Sequence, residues 1–166
     1  MVIHTQSATE TVQIGKRIGK LLRAGDVIAL FGELGSGKTH LVKGLAAGIE
    51  VKRSHRIASP SFTFIHEYQG RIPFFHVDLF RLTTEEEAMD LGLEEYFVRG
   101  GATAIEWADR IPNLLPKELI WISLRSLGEQ ARVIRLRGKG KRYEEWVKLL
   151  SPSGGRLPQD KSEFQT

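Results

Sequence analysis

Gly32-Glu33-Leu34-Gly35-Ser36-Gly37-Lys38-Thr39 constrains this chain more than any other stretch of it. The spacing is that of a phosphate-binding loop, and the flanks suit one. Val27-Ile28-Ala29-Leu30-Phe31 precedes it and reads as a buried parallel strand, while Leu41, Val42, Leu45, Ala46 and Ile49 follow at helical spacing. Strand, glycine-rich loop and helix together present backbone N–H groups and a helix N-terminus to an anion. Lys38 adds a mobile positive charge for the outer phosphates, and the Thr39 hydroxyl suits Mg²⁺. The expectation is a protein that binds a nucleoside triphosphate.

The remainder of the composition narrows the class. A chain of 166 residues with 41% hydrophobic and 27% charged residues is sized for one globular domain, expected over 1–150. Beyond Ser151 proline, glycine, serine and charged residues dominate, and 151–166 is expected to be a flexible tail. There is no cysteine, which excludes disulfides and thiolate chemistry. Neither a signal-peptide pattern nor a membrane-length apolar run is visible, so the expected location is the cytoplasm.

Ser7-Ala8-Thr9-Glu10 has capping-box spacing, and Val12, Ile14, Ile18, Leu21 and Leu22 follow on one helical face, with Gly25 expected to close the helix. Lys52-Arg53-Ser54-His55-Arg56 reads as a solvated basic connection. The runs from Phe62 to Tyr68 and Ile72 to Val77, joined by Gln69-Gly70-Arg71, predict a hairpin. Thr83-Thr84-Glu85-Glu86-Glu87 opens an acidic helix, whose carboxylates are explained by its positive end rather than by a metal. Ala102 to Ile105 predicts a second buried strand, Leu119 to Leu124 and Val133 to Leu136 a late strand pair, and Tyr143 to Leu150 a last helix. The fold expected is α/β with three layers, a largely parallel central sheet and a peripheral antiparallel hairpin.

Hydrolysis needs a metal-holding carboxylate and a positioned water besides the loop. Asp78 and Glu106 each end an apolar strand, and in an open parallel sheet ligands bind beyond the carboxyl ends of strands. A salt bridge or a helix cap would account equally for either acid taken alone. Ser59-Pro60-Ser61-Phe62 puts hydroxyls on a stiff loop, compatible with a segment that senses the terminal phosphate and with a plain turn. His76, alone in an apolar strand, reads as a hydrogen-bonded core residue before it reads as a base. Trp107 suits the core, a nucleotide contact or a partner contact.

Taken together, Gly32 to Thr39, Ser59-Pro60-Ser61-Phe62, Glu67-Tyr68, His76-Val77-Asp78-Leu79-Phe80-Arg81-Leu82, Leu91-Gly92 and Ile105-Glu106-Trp107 resemble the TsaE (YjeE) family in order and spacing, from Ser7 to about Leu136. The family usually has threonine at Ser61, which keeps the hydroxyl, and tyrosine at Phe80, where a polar contact is lost. The resemblance implies a Mg²⁺-dependent ATPase subunit that acts with TsaB and TsaD. Those partners place threonylcarbamoyl on the adenosine beside the anticodon of tRNAs reading codons that begin with A. It also implies ATP contacts from Glu33, Leu34, Gly35, Ser36, Gly37, Lys38, Thr39 and His40, with Thr39 and Glu106 at the metal. Lys38, Asp78 and Glu106 would be the catalytic residues, Asp78 serving the metal or the water. Ser59, Ser61 and Trp107 would belong to the active site or its switching region, and Arg132, from the basic run below, is a further candidate switch or partner position.

Arg132, Arg135, Arg137, Lys139, Lys141 and Arg142 fall within eleven residues that contain no acid. Such a stripe suits a polyanion, tRNA or a partner, and it equally suits an edge strand guarded by charge. Two other functions fit a phosphate loop. A small kinase needs an acceptor pocket and an arginine-bearing lid, for which the β-patterned run after Arg132 is poor material. A nucleotide-binding switch without useful turnover would not need both Asp78 and Glu106.

Overall fold

The computed structural model describes residues 1–52, 57–60 and 63–150. Among these, seven strands form one sheet in the order β1-β7-β6-β2-β5-β4-β3. The strands are β1 (Val2–Thr5), β2 (Val27–Phe31), β3 (Ile65–Tyr68), β4 (Phe74–Asp78), β5 (Ala102–Glu106), β6 (Leu119–Ser126) and β7 (Arg132–Lys139). The middle four, β6-β2-β5-β4, are mutually parallel, and β3, β7 and β1 pair antiparallel outside them. Of these, β2, β5 and β4 are apolar on both faces because both faces are covered: all five residues of β4 and all five of β5 are buried.

Helices α1 (Ala8–Gly19), α2 (Lys38–Gly48) and α5 (Lys141–Leu150) pack on one face, around Ile18, Leu41, Leu45, Phe74, Ile120, Ile134 and Trp146. The other face, over β2, β5 and β4, is covered by α3 (Glu85–Asp90), α4 (Glu95–Val98) and a 3-10 turn at Ala108–Arg110 through Leu82, Ala88, Leu93, Phe97 and Ile111. This is the expected three-layer α/β arrangement.

Glycine sets the crossing of α1 on α2. A Cβ on Gly15 would lie 2.3 Å from the Leu41 carbonyl oxygen, and one on Gly44 would lie 2.2 Å from that of Val12. No side chain fits between backbones so close. The helix that carries the phosphate loop is therefore held against α1 with almost no freedom to slide.

Three details depart from the sequence reading. The strand β1 was not anticipated, being four residues long, with its pairing to β7 supplying what its sequence lacks. Gly25 does not close α1. That helix ends at Gly19, and the chain leaves through short bonds from Leu21 N–H to Ile18 O and from Leu22 N–H to Gly19 O, which turn Leu22 into the core. Gly25 instead takes a positive φ of 86° in the turn before β2. Finally, the Ser7 cap accepts from Glu10 N–H as expected, but Glu10 reaches back to Gln6 N–H rather than to Ser7. Arg53 to Arg56, Ser61, Phe62 and the expected tail at 151–166 lie outside the described residues.

Candidate functional site

The phosphate loop joins the end of β2 to the start of α2 at the centre of the parallel strands, where β5 and β6 flank β2. Gly37 caps α2 with φ at 103°, a left-handed conformation that points loop N–H groups inward and that a side chain would strain. Leu34, Gly35, Ser36, Gly37, Lys38, Thr39 and His40 line one side of a cleft of about 360 Å³. Ser59, Asp78, Phe80, Glu106 and Trp107 line the other. Glu33 contributes its carbonyl rather than its side chain.

Parallel pairing brings the two acids together. Asp78 and Glu106 are register partners at the carboxyl ends of β4 and β5, and both side chains are buried. Thr39 Oγ1 donates to the Glu106 carboxylate, lying 3.1 Å from each of its oxygens. From below, His76 Nε2 lies 2.8 Å from Glu106 Oε1. Because a carboxylate can only accept, that nitrogen carries the proton. Asp78 accepts from the Ser59 hydroxyl and, at 3.0 Å, from the Phe80 backbone N–H. Each acid is thus held by at least two donors.

Lys38 Nζ donates to the carbonyls of Gly32 at 2.5 Å and Glu33 at 3.0 Å, and stands 3.9 Å above the centre of the Trp107 ring. Burial pushes its pKa below the usual lysine value, while Glu106, Asp78 and Asp109 pull it back up. Trp107 itself sits at φ 61°, a left-handed conformation costing a bulky residue about 1–3 kcal/mol. The twist turns its ring from the strand end into the cleft, against Phe80 with centres 5.2 Å apart. His40, at the far end of the loop, has its pKa lowered by burial and by the charges of Lys43 and Arg132.

Arg132 sits apart from the stripe in which it was read. It is buried, and its Nε stands where it would lie 2.7 Å from a Cβ on Gly37, behind the loop. Its guanidinium donates to the carbonyls of Gln130 and Glu129. Ser59 is in the cleft beside Asp78, whereas Ser61 lies outside the described residues. His76, read as a core residue, is buried and also holds Glu106. The signal was its spacing of two from Asp78, which puts both side chains on one strand face.

Among the described residues no group of three or more His, Cys, Asp or Glu side chains could hold a metal without help. The donor set here is one carboxylate and one hydroxyl. This fits a hard cation that takes most of its oxygens from phosphates and water. Ser36 Oγ is buried in the loop with no hydrogen-bond partner among the described residues, which fits an anion lying in the cradle.

A family model described as "Threonylcarbamoyl adenosine biosynthesis protein TsaE" matches residues 5–134. The chain belongs to the TsaE family. Among individual members, the tRNA threonylcarbamoyladenosine biosynthesis protein TsaE of Bacillus subtilis (strain 168) is 40% identical over 148 residues, 89% of this chain and 91% of that one. The TsaE protein of Treponema pallidum (strain Nichols) is 39% identical over 130 residues, covering 78% of this chain and 95% of its own. The crystal structure of YdiB from Bacillus subtilis superposes with a TM-score of 0.74 at 34% identity, over 90% of this chain and 93% of that one. The TsaE match spans the phosphate loop, both carboxylates and Trp107, and it ends within β7.

Proposed function

We propose that this protein is the Mg²⁺-dependent ATPase of tRNA threonylcarbamoyladenosine biosynthesis, working with TsaB and TsaD in the cytoplasm. The observation that carries the reading is the convergence of Lys38, Thr39, Asp78 and Glu106 on one cleft beside a phosphate loop. Membership of the TsaE family supplies the pathway. No helix among the described residues is long and apolar enough to cross a membrane.

In this reading the loop N–H groups from Gly35 to Thr39 bind the phosphates, and Lys38 leaves its carbonyl partners for the β- and γ-oxygens. Thr39 and Glu106 would hold magnesium, which when bound would neutralise charge on the outer phosphates. His76 keeps the Glu106 carboxylate turned toward Thr39. Asp78, fixed by Ser59 and the Phe80 amide, would serve the metal or orient the attacking water. Trp107 and Phe80 close the side of the cleft against solvent, and Ser59 links the terminal phosphate to the chain outside the site.

The test is phosphate release from ATP with Mg²⁺, measured for the protein alone and with TsaB and TsaD. Slow release alone and faster release with both partners is expected, and Glu106→Gln should lower turnover about 100-fold or more while nucleotide still binds. Transfer of the γ-phosphate to a small acceptor, or normal turnover in the variant, would overturn the assignment.

A further inference from the structure

On the face opposite α1, α2 and α5, the apolar cluster ends at Phe31 and Trp121. Their rings stack flat, 4.2 Å apart and 4° from parallel. Beyond them β6, β7 and β1 turn a charged surface outward. Arg137 stands across from Trp121, Arg135 across from Ser123, and Val133 across from both Arg125 and His4. A groove of about 590 Å³ runs over this face, with Phe31, Trp121, Arg135 and Arg137 in its lining and Asp109 and Pro112 beside them.

Charge on an edge strand repels unwanted pairing, but β7 is paired with β6 along its whole length and with β1 from Arg132 to Arg135. Arg135 and Arg137 are two apart on this strand, so they share one face of the sheet, and Arg137 lies just past the end of β1. Lys139 continues the row, and the acids in the groove lining are Asp109 and Glu144. Arg125 and His4 extend the basic side past the groove. Positive charge in a row beside a flat aromatic surface matches a strand of phosphates bearing planar bases. An acidic polypeptide would satisfy the arginines, but a nucleic acid carries a planar base with every phosphate.

We propose that this open sheet face binds single-stranded RNA, with phosphates along Arg135 and Arg137 and a base packed beside the Trp121–Phe31 pair. The choice of RNA over DNA rests on the tRNA pathway. The surface uses none of Lys38, Thr39, Asp78 or Glu106, so its failure would leave the ATPase reading intact.

Fluorescence anisotropy of a labelled, unstructured RNA of about 12 nucleotides tests this with the full chain. The proteins compared are wild type, the double variant Arg135→Gln/Arg137→Gln, and Trp121→Leu, with ATP affinity measured on each. Wild type should bind, with affinity falling as salt rises. The double variant should bind about tenfold or more weakly, with a salt slope smaller by about 1.4, the contribution of two single-strand phosphates. Trp121→Leu should lose about tenfold at an unchanged slope, through the lost stacking. ATP affinity should stay the same in all three. No RNA binding by wild type, or superimposable curves for the double variant, would overturn the proposal. So would displacement of the RNA by a glutamate peptide at lower concentration than by unlabelled RNA, which would mark a surface for an acidic protein.

Discussion

Glu106 is held from two sides, by Thr39 in the loop and by His76 within the sheet, and the second contact is the less obvious one. A ligand carboxylate that can rotate loses affinity for its metal, and partners of this kind are worth about 10- to 100-fold. His76→Ala should therefore weaken Mg²⁺-dependent turnover by about that factor with little change in ATP affinity without metal. His76→Gln, which can place a side-chain N–H near the same spot, should recover part of the loss. A Mg²⁺ titration of phosphate release makes the comparison; equal apparent Mg²⁺ affinity in all three proteins would assign His76 to packing alone. Asp78→Ala should cut turnover while leaving nucleotide affinity within a few-fold, because the loop contacts survive. Legibility differed among these residues for a physical reason. Lys38 and Thr39 were readable because a phosphate loop is local in sequence. Asp78 and Glu106 were readable only as strand ends, since their pairing depends on β4 lying beside β5. The place of Arg132 behind Gly37 was not readable at all, because 95 residues separate two groups that only the folded sheet brings together.

At the level of elements, two contacts hold the frame around the site, and their magnitudes differ from that of surface pairs. The Asp26 carboxylate is fully buried at the start of β2, where it accepts from the Arg142 guanidinium, from Tyr143 OH at 2.8 Å and from Arg23 N–H at 2.7 Å. Burial, followed by the bond to Asp26, raises the Tyr143 pKa far above its ordinary value. This network ties α5 to the sheet. By contrast, the Arg99–Glu67 pair is about half exposed on both sides, and pairs of that kind contribute about 0–1 kcal/mol. Asp26→Ala should cost about 2–4 kcal/mol by denaturant unfolding, and Glu67→Ala less than about 1 kcal/mol. Similar losses for both would show that α5 is docked by Trp146 and Val147 rather than by Asp26. The crossing of α1 on α2 is the second contact. Gly44→Val must push two backbones apart, so a loss of about 3 kcal/mol or more, or failure to fold, is expected; unfolding within about 1 kcal/mol of wild type would mean that the helices can separate freely. The sequence showed the helices by their periodicity and α1 by its cap. It did not show the glycine crossing, because Gly15 and Gly19 in one helix and Gly44 and Gly48 in the other acquire meaning only once the helices touch.

For the whole molecule, the parallel centre was legible because β2, β4 and β5 are apolar throughout, and the outer strands were less so. The strand β1 has no pattern of its own, and its place beside β7 makes the Arg132–Arg135 half of a supposed edge interior. Edge protection therefore does not account for the whole of the basic stripe. The nucleotide cleft and this surface meet at Trp107 to Asp109, with Trp107 in the cleft and Asp109 in the groove. The most direct measurement is calorimetric titration of ATP with Mg²⁺ into wild type and Lys38→Ala, with thermal unfolding of both as a control. Wild type should bind at one site per chain. The variant should unfold at nearly the same temperature and bind at least about 100-fold more weakly, because a buried ammonium contact to phosphate is lost. Equal binding by the two proteins, or no binding by wild type, would contradict the placement of a nucleotide in this cleft.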